Sequence, residues 1–216
     1  MSKVLDKGFV RLVDVMGSDL SVVNAARISF ASQSEEFGER DEKLLNYLWR
    51  HKHTSPFRHA TVQLHIKAPI FVFRQWQKHQ VGCAWNEISG RYVEFDAEFY
   101  NPSIWRKQHK SNKQGSEGEV EQQTVANIAY TTALETCLES YGELLAMGVC
   151  KEQARLVLPA SLYTECYWTA SLQALMHFLS LREDAHSQKE IQEYARAVRG
   201  LCEKHFPKSL SLVTSP

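Results

Sequence analysis

The alternation of apolar and polar residues along this chain is clearest in residues 60–68. The apolar side chains of the stretch share one face of an extended backbone: Val62, Leu64, Ile66 and Ala68. A period of two is typical of a strand with one buried face, so 60–68 is predicted as a half-buried strand. The apolar runs at 8–15 and 162–170 predict two further strands.

Elsewhere, apolar residues recur every three to four positions, which is the helical spacing. The predicted helices cover residues 20–29, 41–51, 70–78, 124–147, 151–158, 171–182 and 187–206. Pro69 suits the first position of the third helix, and Gly148 suits the end of the fourth. Strands separated by long helices predict an α+β fold.

Two stretches lack such a pattern. Residues 106–123 are rich in Lys, Gln, Ser, Gly and Glu and are predicted as a mobile surface loop. Neither side of this loop has enough apolar residues to close a core alone, so 1–216 is predicted as a single domain. Residues 92–100 are aromatic and acidic, which predicts an edge strand or an extended arm.

Composition narrows the function classes. The 216 residues carry a formal net charge of zero, which argues against broad nucleic-acid or membrane-surface binding. No apolar run approaches the roughly 20 residues of a membrane span, and the first residues hold no signal core. Five cysteines, widely spread and without a CxxC pair, indicate reduced thiols in a cytoplasmic protein.

The segment 74–92 is the richest in candidate chemistry. It combines cations, a histidine, a carboxylate, a serine and two glycines. Its end, 86–91, suits a tight turn that holds a phosphate, and the alternative is a helix end followed by a charged turn. His51 and His53 have no acidic or cysteine neighbour, so no metal site is predicted.

Two arginines outside this segment have two readings each. Arg155 is either a residue at the edge of the core, with its stem packed, or a cation aimed into a pocket. Arg182 and His186 are separated by about one helical turn. They form either an ordinary connection between helices or the corner of a site. Walker, GxGxxG and nucleophile-triad patterns are absent from the sequence.

These motifs occur together, and in the same order, in one family. Over nearly its whole length the chain resembles the flavin-dependent thymidylate synthases. The shared pieces include Ala25-Ala26-Arg27, Lys67-Ala68-Pro69-Ile70-Phe71-Val72, Arg74-Gln75-Trp76, Asn86-Glu87-Ile88-Ser89-Gly90-Arg91-Tyr92, Val157-Leu158-Pro159 and Leu181-Arg182. The resemblance implies that family's α+β fold, a mainly antiparallel sheet flanked by long helices. It also implies a homotetramer with sites shared between subunits.

The reaction implied by the resemblance is transfer of a methylene from methylenetetrahydrofolate to C5 of dUMP, with FAD and NADPH supplying the reduction. Arg182 is then catalytic, because its cation favours the N3-deprotonated uracil and makes C5 nucleophilic. The implied nucleotide-binding residues are Gln75, Lys78, Glu87, Ser89, Gly90, Arg91, Arg155 and Arg182. The implied cofactor-binding residues are His53, Ser55, Lys78, His79, Gln80, Glu87, Ser171, Gln173, His177 and His186.

The flavin motif departs from the family pattern. The family has Arg-His-Arg where this chain has Lys78-His79-Gln80, and one residue is inserted around Gly82-Cys83-Ala84. Fewer guanidinium groups predict weaker binding of FAD. The second hypothesis is therefore a diverged relative with altered flavin use, such as a dUMP or dCMP hydroxymethylase. A third is an inactive nucleotide-binding or assembly subunit. Cys83 is a candidate nucleophile for addition at C6.

Overall fold

Two long central strands, β3 (Thr61–Pro69) and β7 (Tyr163–Ser171), organise the sheet. The computed structural model describes residues 1–92 and 97–213. In this part of the chain the remaining strands are β1 (Ser2–Val4), β2 (Gly8–Met16), β4 (Cys83–Glu87), β5 (Arg106–Gln108) and β6 (Ser116–Glu119). The main sheet has the order β1-β2-β3-β7-β4, and each neighbouring pair is antiparallel.

Helices flank this sheet. Over the described residues they are α1 (Asp19–Arg27), α2 (Glu39–Arg50), α3 (Ile70–Trp76), α4 (Gln123–Ala146), α5 (Lys151–Ala154), α6 (Leu172–Arg182), α7 (Lys189–Cys202) and α8 (Pro207–Ser211). The arrangement confirms the predicted α+β class with a mainly antiparallel sheet. None of these helices combines the length and apolar character that a membrane crossing requires.

Periodicity placed the central strands correctly. Val62, Leu64 and Ile66 of β3 are fully or almost fully buried, while the intervening side chains are partly exposed. Opposite them, Trp168 and Cys166 of β7 point into the same core. Helices α3 and α6 begin where β3 and β7 end, so each central strand feeds a helix that returns over its buried face.

An aromatic cluster joins these helices to the sheet. The buried Trp76 ring, at the end of α3, stacks on Phe178 of α6 with the ring centroids 4.5 Å apart. The same ring meets Trp168 of β7 at 5.2 Å and Tyr194 of α7 at 6.0 Å in edge-on contacts. Aromatic pairs of this geometry add to the stabilisation that burial alone provides. The end of α3 is therefore fixed against three elements.

The structure corrects several sequence expectations. Residues 83–87 form the edge strand β4, although the predicted turn 86–91 included the last two of them. Their pattern is too short and polar to reveal a strand that depends on pairing with β7. Residues 106–119 form the hairpin β5–β6 in place of a loop. Main-chain pairing and a 2.8 Å ion pair from Arg106 to the buried Glu190 hold this hairpin, and local apolar patterning does not signal either contact.

Helix boundaries also differ. The predicted helix 151–158 divides into α5 and a 3-10 turn at Arg155–Val157, and the predicted helix 187–206 ends at Cys202. Residues 93–96 of the predicted edge strand or arm lie outside the described residues. The remainder of that arm pairs with the start of β7, since the Tyr163 N–H donates to the Glu98 carbonyl at 2.8 Å.

The turn between α3 and β4 contains a position that only glycine fits well. Gly82 has φ of +74°, and a Cβ added there would lie 2.5 Å from Ser171 Oγ. We expect Gly82→Ala to lower the free energy of unfolding by about 1–3 kcal/mol, because it combines left-handed backbone with a close contact. Urea unfolding at fixed protein concentration measures this change.

Gly200→Ala is the matched control for that substitution. Gly200 lies within α7, and a Cβ added there would meet no atom within 4 Å. This replacement should raise the free energy of unfolding by about 0.5–1 kcal/mol, as expected for glycine in a helix. A Gly82→Ala protein as stable as the wild type would contradict the assigned backbone constraint.

Candidate active site

Three arginines lie around one cleft beside the end of β4. The cleft has a volume of about 640 Å³, and its lining includes Arg74 from α3, Glu87 at the end of β4, Ser89 just after β4, and Arg155. Arg155 begins a 3-10 turn, and its exposed side chain lines this cleft. We call these residues, together with Arg91, the arginine cleft.

Arg91 joins this cleft through weak contacts. Its backbone N–H donates to Ser89 Oγ at 3.3 Å, and its Nε lies 3.4 Å from Glu152 Oε2. Both charged side chains of that pair are about half exposed, so the pair contributes little free energy. Arg155 Nε donates to the main-chain carbonyl of Glu152 at 3.4 Å. These guanidinium groups are thus available to an anion.

A second group forms where α3 ends against α6. Arg182 Nε donates to His79 Nε2 at 3.0 Å, and Arg182 NH2 donates to the Gln75 carbonyl at 3.3 Å. The Gln75 side chain donates from Nε2 to Gln188 Oε1, just before α7. We call Arg182, His79, Gln75 and Gln188 the Arg182 group. Its central cation is half buried and is held by neutral partners.

Burial controls protonation in this group. Burial, followed by the nearby charges of Arg182 and His177, lowers the pKa of His79 to about 4. Burial also lowers the pKa of Arg182 from its usual value. At neutral pH the pair is therefore a neutral imidazole that accepts a hydrogen bond and a guanidinium cation that donates it.

The remaining predicted cofactor residues lie in four places. Ser171 Oγ accepts the Ala174 N–H at 3.2 Å and caps α6, while Gln173 Oε1 accepts from Arg58 Nε at 2.6 Å. His53 and Ser55 line a cavity of about 650 Å³ between α1 and α2, together with Phe30, Arg40 and Tyr47. His186 lines a different cavity, between the β5–β6 hairpin and the start of α7. Lys78 and Gln80 are exposed in the turn after α3.

Cys83 lies in a different environment from these polar groups. It is half buried at the start of β4 and packs against the main core. Burial raises the pKa of its thiol, whereas an attacking cysteine needs a lowered pKa. Among the described residues no group of three His, Cys, Asp or Glu side chains is placed to hold a metal ion.

Sequence reasoning missed two residues of this site. Arg74 lies in the segment 74–92, but no binding role is predicted for it from the sequence. It precedes Gln75 in the same helix and lines the cleft. Gln188 gave no local signal, because its contact with Gln75 spans 113 positions. Such a contact becomes visible only when α3 and α7 are packed together.

Comparison with known proteins identifies the class. Residues 11–208 match the family model described as thymidylate synthase complementing protein. The chain belongs to this family, which confirms the resemblance seen in its motifs.

Individual relatives agree with this assignment. A flavin-dependent thymidylate synthase of Kosmotoga olearia is 46% identical and covers 95% of this chain and 89% of its own length. One from Thermus thermophilus is 47% identical, covering 94% and 74%. A crystal structure of a UMP/dUMP methylase PolB from Streptomyces cacaoi, bound with 5-Br dUMP, superposes with a TM-score of 0.87 at 35% identity. That match covers 97% of this chain and 96% of the methylase.

The low pKa of His79 makes stability depend on pH. The ordinary pKa of 6.5 falls to about 4 in the folded protein. Between these two values the unfolded state binds more protons, so the free energy of unfolding should fall as pH decreases through this window. We expect His79→Gln to show a smaller fall than the wild type over the same range, measured by urea unfolding at several pH values. Equal slopes for the two proteins would contradict the buried neutral imidazole.

Proposed function

We propose that this protein transfers a one-carbon unit from methylenetetrahydrofolate to C5 of dUMP and forms dTMP, using FAD and NADPH. The observation that carries this proposal is the presence of two cationic groups, the arginine cleft and the Arg182 group, which suit the two ends of a nucleotide. The arginine cleft suits a phosphate, and the Arg182 group suits a pyrimidine base. Family membership and the functions for which the relatives are named support the same reaction.

The phosphate of dUMP is a dianion, and guanidinium forks are its best partners in proteins. Arg74 and Arg155 line the cleft together with a hydroxyl donor, Ser89, and Arg91 contacts Ser89 through its backbone N–H. Two acidic side chains, Glu87 and Glu152, lie among these cations, so the cleft keeps a net positive charge. We assign the phosphate to this cleft.

The base is assigned to the Arg182 group. Among the described residues, Arg182 uses Nε and NH2 for protein contacts, which leaves NH1 for a ligand. Uracil C5 is a weak nucleophile until N3 loses its proton and the negative charge spreads over the ring. A fixed cation beside the ring stabilises this anion and so favours attack of C5 on the methylene carbon.

Residues around α6 and α2 fit a flavin. Lys78, Gln80 and Arg58 are exposed donors suited to a diphosphate, and Gln173 lies beside Arg58. The cavity that holds His53 and Ser55 adds two aromatic walls, Phe30 and Tyr47, suited to a flat ring. When bound, the flavin supplies the hydride that reduces the transferred methylene to a methyl group.

Cys83 does not fit the role of a nucleophile. Its packing against the core and its raised pKa both oppose formation of a thiolate. We therefore propose activation of C5 by Arg182, without a covalent bond to Cys83.

We further propose that the complete site forms between subunits of a homotetramer. Arg74 and Arg155 line the cleft beside β4, whereas Arg182 and His79 lie where the end of α3 meets α6. The long helix α4 is also unusually exposed for its apolar content, with Ile128 58% exposed and Val125 59% exposed. Such a helix suits burial against another subunit.

All five cysteines are free, which supports a cytoplasmic location.

The reaction is tested with purified protein, dUMP, methylenetetrahydrofolate and NADPH, with and without added FAD. We expect dTMP as the product and flavin absorbance in the visible spectrum of the protein. Arg182→Ala should lower kcat by about 10²-fold or more, as removal of a group that stabilises developing charge does elsewhere. Arg50→Ala, which removes an exposed arginine of α2, is the control and should keep normal turnover.

Three outcomes of this assay would overturn the assignment. Formation of a 5-hydroxymethyl nucleotide without NADPH would show a hydroxymethylase, and preference for dCMP would show a different base. A protein that binds dUMP and yields no product under any of these conditions would be an inactive subunit.

Sharing of the site is tested by mixing inactive subunits. Co-expressed Arg155→Ala and Arg182→Ala chains should regain activity, because some sites in mixed tetramers then receive an intact arginine cleft from one subunit and an intact Arg182 group from another. The control pairs Arg91→Ala with Arg155→Ala, which damages the same cleft in both chains and should restore nothing. If the first mixture stays as inactive as the second, each site is built within one chain.

A further inference from the structure

We propose that His79 is a positioning residue that holds the Arg182 guanidinium in the orientation needed by the pyrimidine ring. This inference rests on the proposed function, since it concerns the same reaction. The resemblance places His79 among the cofactor-binding residues. In the structure its side chain is directed to Arg182.

The geometry fixes the plane of the guanidinium. Arg182 Nε donates to His79 Nε2 at 3.0 Å, and Arg182 NH2 donates to the Gln75 carbonyl at 3.3 Å. Both acceptors belong to the end of α3 and the turn that follows it. A guanidinium is planar and rigid, so two bonded nitrogens determine where its third nitrogen points. The direction of NH1 is therefore set by two contacts with one short segment.

His79 is itself held firmly. Its backbone N–H donates to the Trp76 carbonyl at 3.0 Å, and the residue is 7% exposed. Its ring makes edge-on contacts with Phe178 at 5.3 Å and His177 at 5.5 Å. The turn that carries His79 is tied to the start of α6, because the Ser171 N–H donates to the Gly82 carbonyl at 2.9 Å.

The protonation state of His79 suits this role. Arg182 can only donate, so His79 Nε2 must carry no proton. Two titratable groups of α6 face the ring, Arg182 and His177. Together with burial they lower the pKa of His79 to about 4. The imidazole therefore remains an acceptor across the physiological range.

A neutral acceptor has a second consequence for catalysis. Other buried or half-buried arginines of this chain are bound by carboxylates, as Arg199 is by Glu183 at 2.6 Å. A carboxylate at position 79 would also orient Arg182, but it would compensate the positive charge. The imidazole and the Gln75 carbonyl orient the cation and leave its charge for the ring anion.

The test uses the holoenzyme and 5-fluoro-dUMP, an analogue whose N3–H ionises near neutral pH. The ultraviolet difference spectrum of the bound analogue reports the fraction ionised at N3, at a pH just below the ionisation of the free analogue. We expect the wild type to bind it mainly as the anion. His79→Leu keeps apolar bulk but offers no acceptor. It should lose most of the anion signal and about tenfold or more in kcat/KM for dUMP, the scale of one hydrogen bond to a charged group.

His79→Gln and His205→Leu complete the series. The glutamine retains an acceptor oxygen and should restore a large part of the anion signal, which a purely structural role of the histidine does not predict. His205 is exposed near the end of the chain, and its replacement should leave the spectrum unchanged. Thermal unfolding shows which variants are folded. If His79→Leu does not fold, the comparison of His79→Gln with the wild type still tests the proposal.

Two kinds of result would overturn the proposal, and only the second would also contradict the proposed function. If the wild type ionises 5-fluoro-dUMP and His79→Leu does so equally, or His79→Gln ionises it no better than His79→Leu, the role of His79 is wrong and the proposed reaction stands. If the wild type does not bind 5-fluoro-dUMP or dUMP at all, the proposed function fails and the role of His79 fails with it.

Discussion

The stacking of Trp76 on Phe178 is the contact on which the candidate site depends. It fixes the end of α3 against α6 with the two rings 4.5 Å apart. His79 follows Trp76 by three positions, and Arg182 follows Phe178 by one helical turn. The hydrogen bond between His79 and Arg182 thus lies directly beyond the stacked rings. An apolar contact in the core sets the distance between two polar groups of the site.

Two sets of arginines in this protein differ in their partners. Arg27 and Arg199 bond to the buried carboxylates Asp41 and Glu183, each at 2.6 Å, and these pairs hold elements together. The arginines of the site have a main-chain carbonyl, an imidazole or a weak exposed ion pair in that place. A cation matched by a buried anion has little attraction left for a ligand, whereas the second set keeps it. Partner chemistry therefore distinguishes Arg27 and Arg199 from the arginines of the candidate site.

Much of the fold could be predicted from the sequence, and the reason is local. The strand at 60–68 and the helix at 171–182 each carry their own periodicity, so no distant contact was needed to find them. Strand β4 and the β5–β6 hairpin are held by pairing with other backbone and by the ion pair of Arg106 with Glu190. Their side chains carry little of that information.

The residues of the candidate site also divide into those that a local motif predicts and those that only tertiary packing brings together. Residues of the arginine cleft after β4 could be predicted, because Glu87, Ser89 and Arg91 are neighbours in the sequence and form a recognisable motif. The Arg182 group could be predicted only as separate residues. The contact between His79 and Arg182 spans 103 positions, and the one between Gln75 and Gln188 spans 113. Only tertiary packing assembles them, so the motif suggested a cofactor role for a histidine that is directed to the cation.

The altered turn between α3 and β4 can now be explained physically. The inserted residue falls where Gly82 adopts φ of +74°, a conformation that allows a tight reversal before β4. The hydrogen bond from the Ser171 N–H to the Gly82 carbonyl returns the turn to the start of α6, and Cys83 then packs inward. The extra residue is absorbed after His79, so the end of α3 keeps its contact with α6. The departures in residues 80–85 therefore lie outside the contacts that hold Arg182, because these contacts come from Gln75 and His79.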